Sequence, residues 1–295
     1  MTNPKVVAIG GGHGLAITLQ AARHYADDIT AIVSVADDGG STGRLRRDLG
    51  VLGVGDLRKC VVALGDPAAP FTRTMEHRFS AGDLDGHALG NLILVGLDEV
   101  MGDWEQALAE AGRLVGAVGR VLPATSEPVV LKAEVDGGVV EGQSAIQNAP
   151  QRIHRVALVP PDAPSPPSVA AAIAAADQIL LAPGSLFTSL LPTLMVQDVH
   201  GALATSRGSI VQISNLASQI PETEGLSATD HLRVVLDEGI RVDQFLVDEH
   251  SRLRVDPAAI AALGVALVTA DVARPDAGAH VPAKLAPVLA ALLES

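Results

Sequence analysis

Short apolar runs, glycine-bearing turns and amphipathic stretches alternate along the chain. The run Lys5-Val6-Val7-Ala8-Ile9 meets the turn Gly10-Gly11-Gly12-His13-Gly14. Behind it, residues 15–25 place Leu15, Leu19 and Ala22 at helical spacing. That order predicts strand, glycine loop, helix. Residues 29–35 predict a second strand, ending at Ala36-Asp37-Asp38-Gly39-Gly40-Ser41. Residues 66–120 turn helical, without a strand pattern, and read as a helical insertion; within them Asp103 precedes Trp104-Glu105-Gln106 as an N-cap signature. Residues 129–142 alternate around Asp136-Gly137-Gly138 and predict a β-hairpin excursion. A proline-rich stretch, residues 160–167, marks a loop or a junction between halves.

The second half resumes βα alternation. Residues 168–176 read as helix, 178–182 as strand, and the turn Pro183-Gly184-Ser185-Leu186-Phe187-Thr188-Ser189 leads into the apolar stretch 190–196. A strand at 209–214 runs into Asn215, followed by a helix at 229–238, short strands at 245–247 and 265–269, and a closing helix at 282–293. The pattern is that of one α/β domain over residues 1–295.

Chemistry enters at the turns. Glycine lets a backbone approach a phosphate closely and tolerates positive φ, and the following helix aims its free N–H groups at the same point. Leu15 stands at the third glycine position after Gly10 and Gly12, so a tight turn required only by packing remains open. Asp37 falls 23 positions after Gly14, near the place of a ribose-binding acid in dinucleotide folds; a solvated strand end or helix N-cap is the plainer reading of Asp37 and Asp38. Arg44, Arg46, Arg47, Arg58 and Lys59 form a candidate basic rim for a phosphorylated ligand. His87 and Asn91, flanked by Gly86 and Gly90, sit at a helix start as ligand groups or as structural ones. Ser185, Thr188 and Ser189 beside Gly184 can hold a ligand oxygen or cap a helix, and Asn215 lies at a strand end, where ligands of open sheets bind.

Composition narrows the field. The 295 residues suffice for a substantial core, and with 2% aromatic residues that core must be aliphatic. A net charge of −13 and the lack of long Lys/Arg runs argue against nucleic-acid partners and anionic membranes. The single cysteine, Cys60, cannot form an internal disulfide. No apolar window approaches the roughly 18 residues of a membrane span, and the expected location is cytoplasmic.

With these segments in place the chain resembles the gluconeogenesis-factor proteins of the YvcK type, in the superfamily that also holds the CofD-type 2-phospho-L-lactate transferases. The resemblance rests on residues 10–15, on the run from Ala36 to Arg46, on Gly55-Asp56-Leu57-Arg58, on Gly86-His87-Ala88-Leu89-Gly90-Asn91-Leu92, and on residues 183–189. His13 stands where many members carry Thr, and Gln219-Ile220-Pro221-Glu222-Thr223 departs from the family's Gln-Pro-Gly-Glu-Thr. The segment from Ser41 to Arg46 follows the non-transferase branch.

The resemblance implies a Rossmann-like three-layer sandwich with a mainly parallel sheet, and a regulator that binds UDP-sugars such as UDP-N-acetylglucosamine. Through it the family influences central carbon use, cell-wall synthesis and cell shape, without an established reaction. In that reading Gly11, Gly12, His13 and Gly14 line the diphosphate and Asp37 and Asp38 the ribose or a hydrated metal. Gly39, Ser41, Arg44 and Asn91 belong to the same ligand site, and Gly184, Ser185, Thr188 and Asn215 form the opposite wall. No cofactor is required, and a protein partner and a homodimer stay open. The alternative is a Mg²⁺-dependent transferase using a nucleoside diphosphate carrier, with Asp38 holding the metal. A NAD-dependent oxidoreductase is a third reading, suggested by Asp37 alone.

Overall fold

The computed structural model describes residues 3–276 and 278–293. The chain begins β1 (Lys5–Gly10), α1 (Gly12–Ala22), β2 (Asp28–Val33). Five helices follow before the next strand: α2 (Gly40–Leu49), α3 (Val54–Leu64), α4 (Pro70–Glu76), α5 (Leu89–Met101) and α6 (Trp104–Val115), then β3 (Arg120–Pro123). A small excursion comprises β4 (Val130–Val135), β5 (Gly138–Glu141), α7 (Gln143–Gln147) and β6 (Ile153–Val159). The rest runs α8 (Pro167–Ala175), β7 (Gln178–Leu181), a π-helical turn (Leu186–Leu190), α9 (Leu191–Leu194), α10 (Gln197–Thr205) and β8 (Ser209–Ile213). It closes with α11 (Ala228–Asp237), β9 (Gln244–Asp248), α12 (Pro257–Ala262), β10 (Ala266–Ala270) and α13 (Pro282–Ala291).

Seven strands form one parallel sheet in the order β10-β9-β8-β7-β1-β2-β3, covered by helices on both sides. This is the three-layer α/β architecture expected. A parallel sheet covered on both faces needs continuous apolar strands rather than alternating ones, and Val6, Val7, Ala8 and Ile9 of β1 are all essentially inaccessible. Strand succession runs one way through β1, β2 and β3 and the other way through β7 to β10. The order reverses between β1 and β7. At such a switch point the two loops leaving the strand ends diverge to opposite faces and open a crevice between them. Those loops are the two glycine turns.

Three departures from the sequence pattern stand out. Arg120, expected to close the helical run, opens β3 and pairs with Thr30 of β2. The predicted hairpin is real, but β6 adds a third strand to it in the order β5-β4-β6. His154 and Arg155 are both exposed in β6, which blurs strict alternation, and the register shifts between Glu134 and Val135 of β4. A bulge of this kind hides a strand from a period of two. The helix expected from Leu190 starts earlier, at Leu186, with Leu190 N–H donating to Ser185 O at 3.0 Å.

Candidate functional site

The first loop leaves β1 with Gly10 at φ 147° and Gly12 at φ 67°, both in the region that favours glycine. The Gly12 N–H donates to Asp56 Oδ2 at 2.7 Å, and Asp56 Oδ1 accepts from Lys59 Nζ at 2.9 Å. Both side chains come from the first turns of α3, which packs against α1. A carboxylate of the protein itself thus stands at the N-terminus of α1, where the helix dipole attracts an anion. Gly14 is fixed by crowding: a Cβ there would lie 1.7 Å from Pro183 O, so the first and second loops are in direct contact.

The second loop leaves β7 and is held by other means. Gly184 N–H donates to Asn215 Oδ1 at 2.7 Å, and Asn215 Nδ2 donates to Gly184 O, also at 2.7 Å. Beyond it, Glu222 Oε1 accepts from the N–H groups of Phe187 (2.8 Å) and Thr188 (3.2 Å), while Oε2 accepts from Thr188 Oγ1 at 3.1 Å. Burial pushes the Glu222 carboxyl above its ordinary pKa, against these hydrogen bonds.

Between the loops lies a cavity of about 320 Å³. Of the residues expected there, Gly11, Gly12, His13, Gly14, Asp37, Gly39, Gly184 and Ser185 line it. Ser189 and Lys59 join them, as do Asp56, Gln143, Ser144, Gln147 and Gln219, which sequence reasoning did not place in the site. Asp56 and Gln219 lay within quoted motifs, so their signal was proximity to glycine or to a family segment. The α7 residues follow a hairpin and carry no local signature.

The other expected residues lie outside the cavity lining. Asp38 Oδ1 accepts from Ser144 N–H at 2.8 Å, so it fastens α7 over the cleft instead of facing it. Ser41 accepts from Asn91 Nδ2 (3.1 Å) and Ala88 N–H (3.3 Å) and contacts His87 Nδ1 at 3.1 Å, a buried cluster joining α2 to α5. Burial holds the His87 imidazole below its ordinary pKa. Arg44 donates to Asp85 O at 2.6 Å, Thr188 is committed to Glu222, and Asn215 acts through the Gly184 backbone. The basic rim is dispersed as well: Arg46 holds the carbonyls of Ala36, Asp37 and Val129, Arg58 is buried, Arg47 pairs with Asp48, and only Lys59 reaches the cleft.

Electrostatically the cleft is mixed. Asp37 is raised above the usual carboxylate range by burial and by the Asp56 charge, although Gly39 N–H donates to its Oδ1 at 3.0 Å. His13 is lowered by burial and by Lys59, which keeps its imidazole neutral at pH 7. Backbone N–H groups, Lys59 and the Ser185 and Ser189 hydroxyls can receive an anion, and Asp37 can accept from sugar hydroxyls. Among the described residues no group of three His, Cys, Asp or Glu side chains converges as a metal site. The carboxylates that do face the cleft are Asp37 and Asp56, not Asp38. No helix among the described residues is long and apolar enough to cross a membrane.

The chain is similar to known proteins over most of its length. The family model described as 2-phospho-L-lactate transferase CofD matches residues 6–273. A putative gluconeogenesis factor of Nostoc sp. is 40% identical, the match covering 97% of this chain and 68% of that protein. The gluconeogenesis factor of Bacillus subtilis is 42% identical over 79% of this chain and 74% of its own length. A crystal structure of a member of the upf0052 family from Bacillus halodurans superposes with a TM-score of 0.92 at 36% identity, covering 98% of this chain and 99% of that one.

Proposed function

The chain belongs to the CofD family and, within it, to the gluconeogenesis factors, and on that premise we propose that it binds a nucleotide-sugar of the UDP-N-acetylglucosamine type and acts as a regulator of central carbon use. The observation that carries this reading is the convergence of two glycine loops, held in contact through Gly14 and Pro183, at the reversal of strand order. Residues of both loops line one space, with Lys59 beside them. The diphosphate sits on Gly11, Gly12 and His13 and against Lys59, displacing the Asp56 carboxylate from Gly12. Asp37 accepts from the ribose hydroxyls, and Ser185 and Ser189 face the sugar end. At about 320 Å³ the cleft lies near the lower end of ligand-pocket sizes. It therefore grips the centre of such a ligand and leaves the base and sugar to its open sides. In this role a ligand changes what the protein offers a partner, and no bond is made or broken.

The second reading is a Mg²⁺-dependent transferase, favoured by the repulsive pair Asp37 and Asp56, which suits a divalent cation better than Asp38 does. Calorimetric titration with UDP-N-acetylglucosamine, GDP and NAD, each with and without Mg²⁺, separates the readings. The regulator binds the UDP-sugar with a Kd on the order of micromolar, independently of Mg²⁺, and yields no product on long incubation. Mg²⁺-dependent binding of GDP in its place overturns it in favour of the transferase.

A further inference from the structure

A second cavity, of about 720 Å³, lies on the far side of the π-helical turn and is more than twice the size of the cleft. One wall is β6 with the residues before it. Seven consecutive positions, 150–156, line the space, so main chain as well as side chains faces it. β6 pairs with β4 alone, and the order β5-β4-β6 leaves its other edge without a strand among the described residues. An unpaired strand edge presents a row of free N–H and C=O groups, the template for strand addition. The facing wall is α11, whose Asp230, Arg233, Val234 and Asp237 share one helix face at spacings of three, four and seven. Val156, Phe187 and Leu191 make an apolar floor.

Charge distribution limits the occupant. Arg233 lies 3.5 Å from Asp230, which leaves Glu224, Asp237 and Glu238 on the helix side with no ion-pair partner among the described residues. Across the groove, Arg152 and Arg155 line the strand side, so the lining carries Glu222, Glu224, Asp230, Asp237 and Glu238 against Arg152, Arg155 and Arg233. The balance of charge in the groove is therefore acidic, and the excess lies on the helix side. Its size limits the occupant too. Spread over the roughly 23 Å of seven extended residues, the volume gives a cross-section of about 30 Å². A groove of that size suits one strand lying partly proud of the surface.

We propose that this groove takes an extended segment of a partner protein, paired along β6, with apolar residues on the floor and basic residues alternating toward Glu224, Asp237 and Glu238. The inference is independent of what fills the glycine cleft. Fluorescence anisotropy of a labelled, end-blocked heptapeptide of alternating Lys and Val against the full chain tests it. The peptide saturates with a Kd on the order of 10–100 μM. Replacing its lysines with glutamates, N-methylating alternate peptide nitrogens, or changing Asp237→Lys with Glu238→Lys in the protein weakens binding by about tenfold or more each. Equal binding of the Lys and Glu peptides, indifference to N-methylation, or no saturation by about 1 mM overturns the proposal. So does a dimer in sedimentation whose β6 amides are protected, which would assign the edge to a second copy.

Discussion

The two glycine loops of the cleft look alike in sequence and are held by opposite chemistries. The first has its N–H at Gly12 taken by a charged carboxylate, Asp56, itself paired with Lys59. The second has both the N–H and the C=O of Gly184 taken by one neutral amide, Asn215. A carboxylate can be displaced by a phosphate that offers the same kind of acceptor with more charge, and Lys59 is then free to follow the ligand. An amide that satisfies donor and acceptor together has no such competitor. On the proposed function, the first loop is therefore the exchangeable wall of the site and the second its fixed wall.

The strongest way to break that comparison is at the contact between the walls. Gly14→Ala places a methyl 1.7 Å from Pro183 O, a backbone atom with no flexible side chain to yield. The expected cost is at least about 3 kcal/mol, read as a collapse of the urea midpoint or loss of folded protein. Gly12→Ala, with φ at 67° and open space around it, is expected to cost only about 1–2 kcal/mol. Equal effects would mean that the loops are not in contact. Next comes the fixed wall. Glu222→Ala strands the Phe187 and Thr188 N–H groups in a buried place, with an expected loss of about 3 kcal/mol in denaturant titration.

Smaller effects separate the walls by ligand affinity. Asn215→Ala frees the Gly184 backbone and weakens the UDP-sugar by about tenfold in calorimetry. Asp56→Asn removes the competing charge from Gly12 and strengthens it by about fivefold. Weaker binding in Asp56→Asn would mark Asp56 as a ligand contact instead of a displaced occupant. The mildest effect is that of pH. Because burial and Lys59 lower the His13 pKa, the free protein carries a neutral imidazole at pH 7, whereas a bound diphosphate favours the protonated form. Affinity therefore rises as pH falls below 7, by no more than a few-fold, and His13→Ala abolishes the rise.

All the strands except β3 and β6, both glycine turns and the α/β class were legible because each is a local pattern: a β-branched run, a glycine cluster, a helical period. What held the turns was not. Asp56 reaches Gly12 across 44 positions and Asn215 reaches Gly184 across 31, distances at which no spacing rule operates. Asp37 and Asp38 illustrate a finer limit. One acid faces the cleft and its neighbour fastens α7, a division of roles that no local pattern separates. Ser41 and Asn91, expected at the ligand, meet each other in a buried contact between two helices.

Hydrogen–deuterium exchange with and without UDP-N-acetylglucosamine is the most direct test of a ligand held between an exchangeable and a fixed wall. The expected result is new protection of the amides at residues 11–15 and 184–189 together, with residues 150–156 unchanged. Protection confined to one loop, or falling outside both, would contradict the account.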